Sequence, residues 1–71
     1  MVNINAKFGK RLKELRKKKK LTQEELAQLA DIDYKYVQRL EGKNPSSPTL
    51  NILEKLAKAF NIPLSKLVNF G

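Results

Sequence analysis

The groups in this chain with chemistry to offer are 15 Lys and Arg, seven Asp and Glu and two Tyr, with no Cys and no His. Without the last two there is no thiolate nucleophile, no imidazole base, no disulfide and almost no route to a structural zinc site. The seven carboxylates stand where they pair with bases or cap helices, and none is set beside a nucleophile. An enzyme, a cofactor, a bound metal and a small-molecule substrate are therefore not expected. What remains is electrostatic. The formal net charge is +8, and residues 1 to 20 hold nine bases (Lys7, Lys10, Arg11, Lys13, Arg16, Lys17, Lys18, Lys19 and Lys20) against Glu14 alone. Residues 21 to 71 hold six of each sign. The whole excess lies on one segment, which suits a polyanionic partner: DNA, RNA or an anionic membrane face.

The elements that hold these groups must be helices. Phe8, Leu12 and Leu15 recur at helical spacing, so residues ~5 to ~18 form a first amphipathic helix closed by Leu21. Thr22 with Glu25 three residues on is a capping box, so a second helix starts near Gln23. Leu26, Ala27, Leu29 and Ala30 are its expected buried face. Asp31 and Asp33 suit a left-handed turn residue and an N-cap, and a third helix starts about Tyr34, burying Val37 and Leu40. It ends before Gly42, a residue able to take positive φ. After the turn-rich GKNPSSP segment, Thr49 caps a fourth helix, in which Leu50, Leu53, Leu56, Ala57 and Phe60 recur at intervals of three and four. Asn61, Ile62 and Pro63 break it, and Leu64, Leu67 and Val68 make a short fifth. Leu12, Leu26, Val37, Leu53 and Phe60 are the expected core. No segment alternates cleanly, so strands are not expected. Residues 1 to 71 read as a single domain, because a chain of this length buries only ~60% of its unfolded surface. No apolar run approaches the ~20 residues of a membrane span and the N-terminus lacks a signal-peptide core, so a cytoplasmic location is expected.

One stretch is specific in its spacing. In QEELAQLADIDYKYVQRL, residues 23 to 40, apolar side chains stand at places 4, 10, 15 and 18 (Leu26, Ile32, Val37, Leu40), with small Ala27 at place 5 where two helices cross. Together with FGKRLKELRKKKKLTQEELAQLA before the turn, YVQRLEGK after it and SPTLNILEKLAKAFNIPLSKL beyond, residues 8 to 68 resemble the Cro and phage-repressor type helix-turn-helix family, also called XRE. The resemblance implies an all-α, compact five-helix bundle with the helix-turn-helix formed by helices 2 and 3. The chain departs from the family at the turn, where Asp31 replaces the usual Gly, and in a loop from Gly42 to Thr49 about one residue longer than the common pattern.

The resemblance also implies roles. Helix 3 would lie in the major groove of double-stranded DNA, with Asp33, Tyr34, Lys35, Gln38 and Arg39 facing outward. Arg39 suits a bidentate guanine contact, Gln38 an adenine, and Tyr34 a thymine methyl or a phosphate. Thr22, Gln23, Tyr36, Lys43 and Asn44 would meet phosphates, Gln23 at a helix start already favourable to anions. Lys17 to Lys20 could add sequence-independent attraction. Tyr34 and Tyr36 have packing against neighbouring helices as an alternative, and Lys17 to Lys20 a purely solubilising role. Arg16 and Glu41 match a family ion pair tying helix 1 to the end of helix 3.

The function implied is a sequence-specific DNA-binding regulator, a dimeric repressor or controller protein on a palindromic operator. Phage repressors, restriction-modification controllers and antitoxin-type repressors share this size. Leu64, Leu67, Val68 and Phe70 are the expected homodimer contact, with capping of the core beside Phe60 and Ile62 as the alternative. Two competing readings are a protein-interaction module, favoured by Asp31 and Asp33 beside the reading helix, and membrane-surface association through helix 1, disfavoured by the absence of Trp and the few bulky apolar groups.

Overall fold

A computed structural model describes residues 3–69, and those residues form five α-helices with no strand among them. They are α1 (Ile4–Lys18), α2 (Gln23–Ala30), α3 (Tyr34–Glu41), α4 (Leu50–Phe60) and α5 (Leu64–Leu67). Each long helix starts on a side chain that accepts an orphan N–H: Asn3 for α1, Thr22 in a full capping box with Glu25 for α2, Asp33 for α3 and Thr49 for α4. Three helices end alike. Lys20, Asp31 and Asn61 take left-handed φ values of 58, 56 and 57°. The N–H groups of Leu21, Ile32 and Ile62 then reach back to the carbonyls of Arg16, Ala27 and Ala57, each at 3.0 Å. These are Schellman ends, each followed by an apolar residue that folds onto the core.

Leu12, Leu26, Val37, Leu40, Leu56, Phe60 and Leu67 are fully buried, with Phe8, Leu15, Ala27, Ala30 and Ala57 nearly so. Each large side chain removed from water in this way contributes roughly 1.5–3 kcal/mol. One core serves all five helices. α1 lies so close to α3 that a Cβ on Gly9 would clash with the carbonyl oxygen of Leu40.

Five expectations change. Leu29 is 58% exposed, because the buried stripe of α2 is Leu26, Ala27 and Ala30 and Leu29 falls to one side of it. Leu50 is 77% exposed at the first position of α4, ahead of the turn that reaches the core, and Leu53 is half-buried at the core's margin. Gly42 has φ −81° and ψ −173°, so α3 gives way directly to extended chain without a left-handed residue. Leu67, expected at a dimer contact, is fully buried, whereas Leu64 and Val68 on the same short helix and its cap stay exposed. Phe70 lies outside the described residues.

Candidate nucleic-acid interface

α3 is fixed at both ends and bare along one side. Its N-terminus is held by the Asp33 carboxylate, which accepts the Lys35 N–H at 2.8 Å. This bond occupies Asp33, which therefore acts as the cap. Beneath, Val37 and Leu40 are fully buried. Above, Tyr34, Lys35, Gln38 and Arg39 are all exposed, so four of the residues singled out from sequence share one face. Gln38 and Tyr34, four apart and so adjacent on the helix, are already joined: the Gln38 amide donates to the Tyr34 hydroxyl at 2.9 Å. Tyr36 is half-buried with its ring against the core, in keeping with its packing alternative.

The far end of α3 is held by a cluster that closes on Glu41. Arg16 donates through Nε to Glu41 Oε2 at 2.8 Å and through Nη2 to Oε1 at 2.9 Å, a bidentate fork. Its third nitrogen, Nη1, donates to the carbonyl of Leu21 at 2.8 Å. The Gln23 amide donates to Glu41 Oε1 at 3.1 Å. The side chains of Arg16 and Glu41 keep only 11% and 3% of their surface. The hydrogen bonds to Glu41, helped by its charge, outweigh burial and hold the Arg16 guanidinium above its ordinary pKa. The pair was legible in sequence. The part played by Gln23 was not, because an amide has no charge to balance and no periodicity to betray it.

Around this frame the other candidates take their places. Thr22 accepts the Glu25 N–H at 3.0 Å and gives its own N–H to Glu25 Oε1 at 2.8 Å, and the Leu26 N–H bonds to its carbonyl. The first-turn N–H groups of Gln23 and Glu24 have no helical carbonyl to bond, which is the geometry that receives an anion. Lys43 and Asn44 are exposed in the loop just beyond α3, and Lys17 to Lys20 are exposed just before α2. Arg11 is different from the bases around it: half-buried, it donates from Nη2 to the carbonyl of Lys66 at 2.9 Å and so ties α5 to α1. Sequence reasoning counted it with the surface charge, and nothing in its spacing marks it out.

A family model described as helix-turn-helix matches residues 12–67. An immunity repressor protein of Bacillus phage phi105 is 38% identical over 60 residues, which is 84% of this chain and 41% of that repressor. The control protein C.MunI of Mycoplasma sp. is 38% identical over 68 residues, 94% of this chain and 90% of that one. Among solved structures, the restriction-modification controller protein C.AhdI from Aeromonas hydrophila superimposes with a TM-score of 0.83 at 41% identity, covering 89% of this chain and 94% of its own.

Proposed function

This chain belongs to the XRE-type helix-turn-helix family and is a DNA-binding transcriptional regulator, and from that premise we propose that it reads a palindromic operator as a homodimer, with α3 in the major groove. The observation that carries this reading is the row Tyr34, Lys35, Gln38 and Arg39, exposed on a helix whose opposite side is buried and whose two ends are pinned by Asp33 and by Glu41. Such a helix offers hydrogen-bonding groups at fixed positions, which is what discrimination between base edges needs. Its eight residues span ~12 Å, close to the width of the groove.

In this reading Arg39 pairs with a guanine and Gln38 with an adenine, with Tyr34 and Lys35 completing the base contacts. Thr22, Gln23, Lys43 and Asn44 hold phosphates on either side, and Tyr36 reaches one with its hydroxyl while its ring stays packed. Residues 1 to 71 act as one domain in the cytoplasm, in a repressor or controller, and perform no catalysis. A second copy is required because one small module makes too little contact for nanomolar specific binding. Leu64 and Val68 supply the apolar contact.

The test uses the DNA upstream of the protein's own coding region. A duplex carrying an inverted repeat from there should bind at least ~10³-fold more tightly than a scrambled duplex, with guanines protected at their major-groove N7 atoms in two half-sites ~34 Å apart. Equal affinity for the scrambled duplex, or protection confined to the minor groove, would refute the reading.

A further inference from the structure

Most of the positive charge of this protein lies away from its reading face. Between Thr22 and Asn44, the segment bearing α2, α3 and the groups assigned to the operator above, four acids (Glu24, Glu25, Asp31, Asp33) outnumber three bases (Lys35, Arg39, Lys43) once Glu41 is set against Arg16. A phosphate array repels such a segment at long range. Most of the compensating attraction comes from the nine bases of α1 and the turn after it, against a net +2 from Lys55, Lys58 and Lys66 with Glu54. Two of these are used inside the fold, Arg16 on Glu41 and Arg11 on the Lys66 carbonyl. The seven lysines are left, and none of them is in an ion pair among the described residues.

Their placement follows from the contacts of α1. Gly9 abuts the backbone of Leu40 and Arg16 grips Glu41, so the edge of α1 bearing those two residues runs along the C-terminal end of α3. Lys13 and Lys17 follow Gly9 at four-residue intervals and so continue down that edge on its solvent side. Lys10 lies beside them, and Lys20 carries the row into the turn that leads to α2. All four are exposed. From Lys10 to Lys17 the row is ~10 Å long at 1.5 Å per residue, the length of about three nucleotides of one strand at 3.4 Å each.

We propose that Lys10, Lys13, Lys17 and Lys20 form a second DNA-backbone surface, separate from the reading helix, that grips phosphates flanking the base pairs read by α3. The proposal rests on the reading of α3 given above and divides the labour of binding: the lysine row supplies salt-sensitive affinity, α3 supplies discrimination. A membrane does not fit this row, because an interfacial helix needs a free apolar face and that of α1 is spent in the core, with Phe8, Leu12 and Leu15 all buried. Continuity with the edge of α3 favours the same duplex that α3 occupies.

The experiment compares wild type with the variant Lys10→Gln, Lys13→Gln, Lys17→Gln, Lys20→Gln on two duplexes, one carrying the operator with ten-base-pair flanks and one trimmed to the operator itself, across a salt series. On the flanked duplex the variant should show a slope of log affinity against log salt shallower by about 7, since the dimer loses eight lysines, and affinity lower by tenfold or more at physiological salt. On the trimmed duplex the two proteins should converge, and the variant should keep its preference for operator over scrambled sequence. An unchanged salt slope, or an equal loss on both duplexes, overturns the proposal, as does a variant that loses binding to anionic phosphatidylserine vesicles while DNA affinity is untouched. Failure of the underlying reading looks different: the wild type itself would show no operator preference on either duplex. Arg39→Ala separates the two surfaces from the other side, since it should lose preference and retain the steep salt slope on flanked DNA.

Discussion

Glu41 shows how one residue serves both the fold and the proposed reading face. It receives three donors from two other segments, and it stands on the last turn of α3. Replacing it with Ala strands the Arg16 guanidinium in a site where water reaches little of it, a cost of order 3 kcal/mol, or a melting temperature lower by ten degrees or more. Glu41→Gln, which keeps an acceptor and the packing, should fall between. In both variants DNA affinity should fall in step with melting temperature; normal melting with lost binding would move the cluster from scaffold to contact surface. Arg39 is the converse case, exposed and unburdened by packing. Arg39→Ala should leave the circular dichroism melt unchanged and remove ~1–3 kcal/mol of discrimination, read by gel shift against operators altered at one guanine. Unchanged discrimination would make Arg39 a bystander. At this scale the sequence served well where charge or spacing marks a residue, as for the Arg16–Glu41 pair and the exposure of the polar row of α3. It could not reveal the Gln23 and Arg11 bonds, whose partners lie 18 and 55 residues away and leave no local pattern.

For the helices, starts were more legible than ends. A capping side chain announces itself by type and offset, and Thr22, Asp33 and Thr49 all cap as their residue types suggest. Periodicity was a weaker guide to burial. It places Leu29 and Leu50 near an apolar stripe without saying how wide the neighbouring helix is, and both turn out exposed. Glycine likewise misled at Gly42 and mattered at Gly9, where only the approach of another backbone requires it. Two substitutions follow with signs opposite to their usual ones. Gly9→Ala would add helix propensity worth ~1 kcal/mol, yet its methyl must displace the Leu40 carbonyl, so the melting temperature should fall by several degrees. Asp31→Gly removes both a left-handed φ on a branched-carbon backbone and a negative charge at the negative end of α2. It should raise stability by about 1 kcal/mol, a melting temperature higher by roughly 4–8 °C in a domain this small. A lower melting temperature would mean that the Asp31 side chain contributes more to the turn than its backbone costs.

Assembly belongs to the molecule as a whole. Leu67 fills the core, so in the proposed dimer the apolar surface left to α5 is Leu64 and Val68. Replacing both with Lys should shift sedimentation equilibrium at micromolar concentration towards the monomer while the helical signal remains. A wild-type chain that stays monomeric both free and on its operator would defeat the dimer. The sequence grouped these residues with Leu67 because four apolar side chains near one another look alike until the core claims one of them.

α5 has only four residues, too few to be helical alone, and it is held to the rest by the Leu67 side chain and by the Arg11 bond to the Lys66 carbonyl. So small a fastening should open by itself, at a free energy well below that of global unfolding. In deuterium exchange, the amides of Leu67 and Val68 should therefore lose protection long before those of Leu12 and Leu40, and Arg11→Gln should widen that gap without hastening exchange in α1 or α3. The surface offered to a second copy would then be the first part of the protein to breathe.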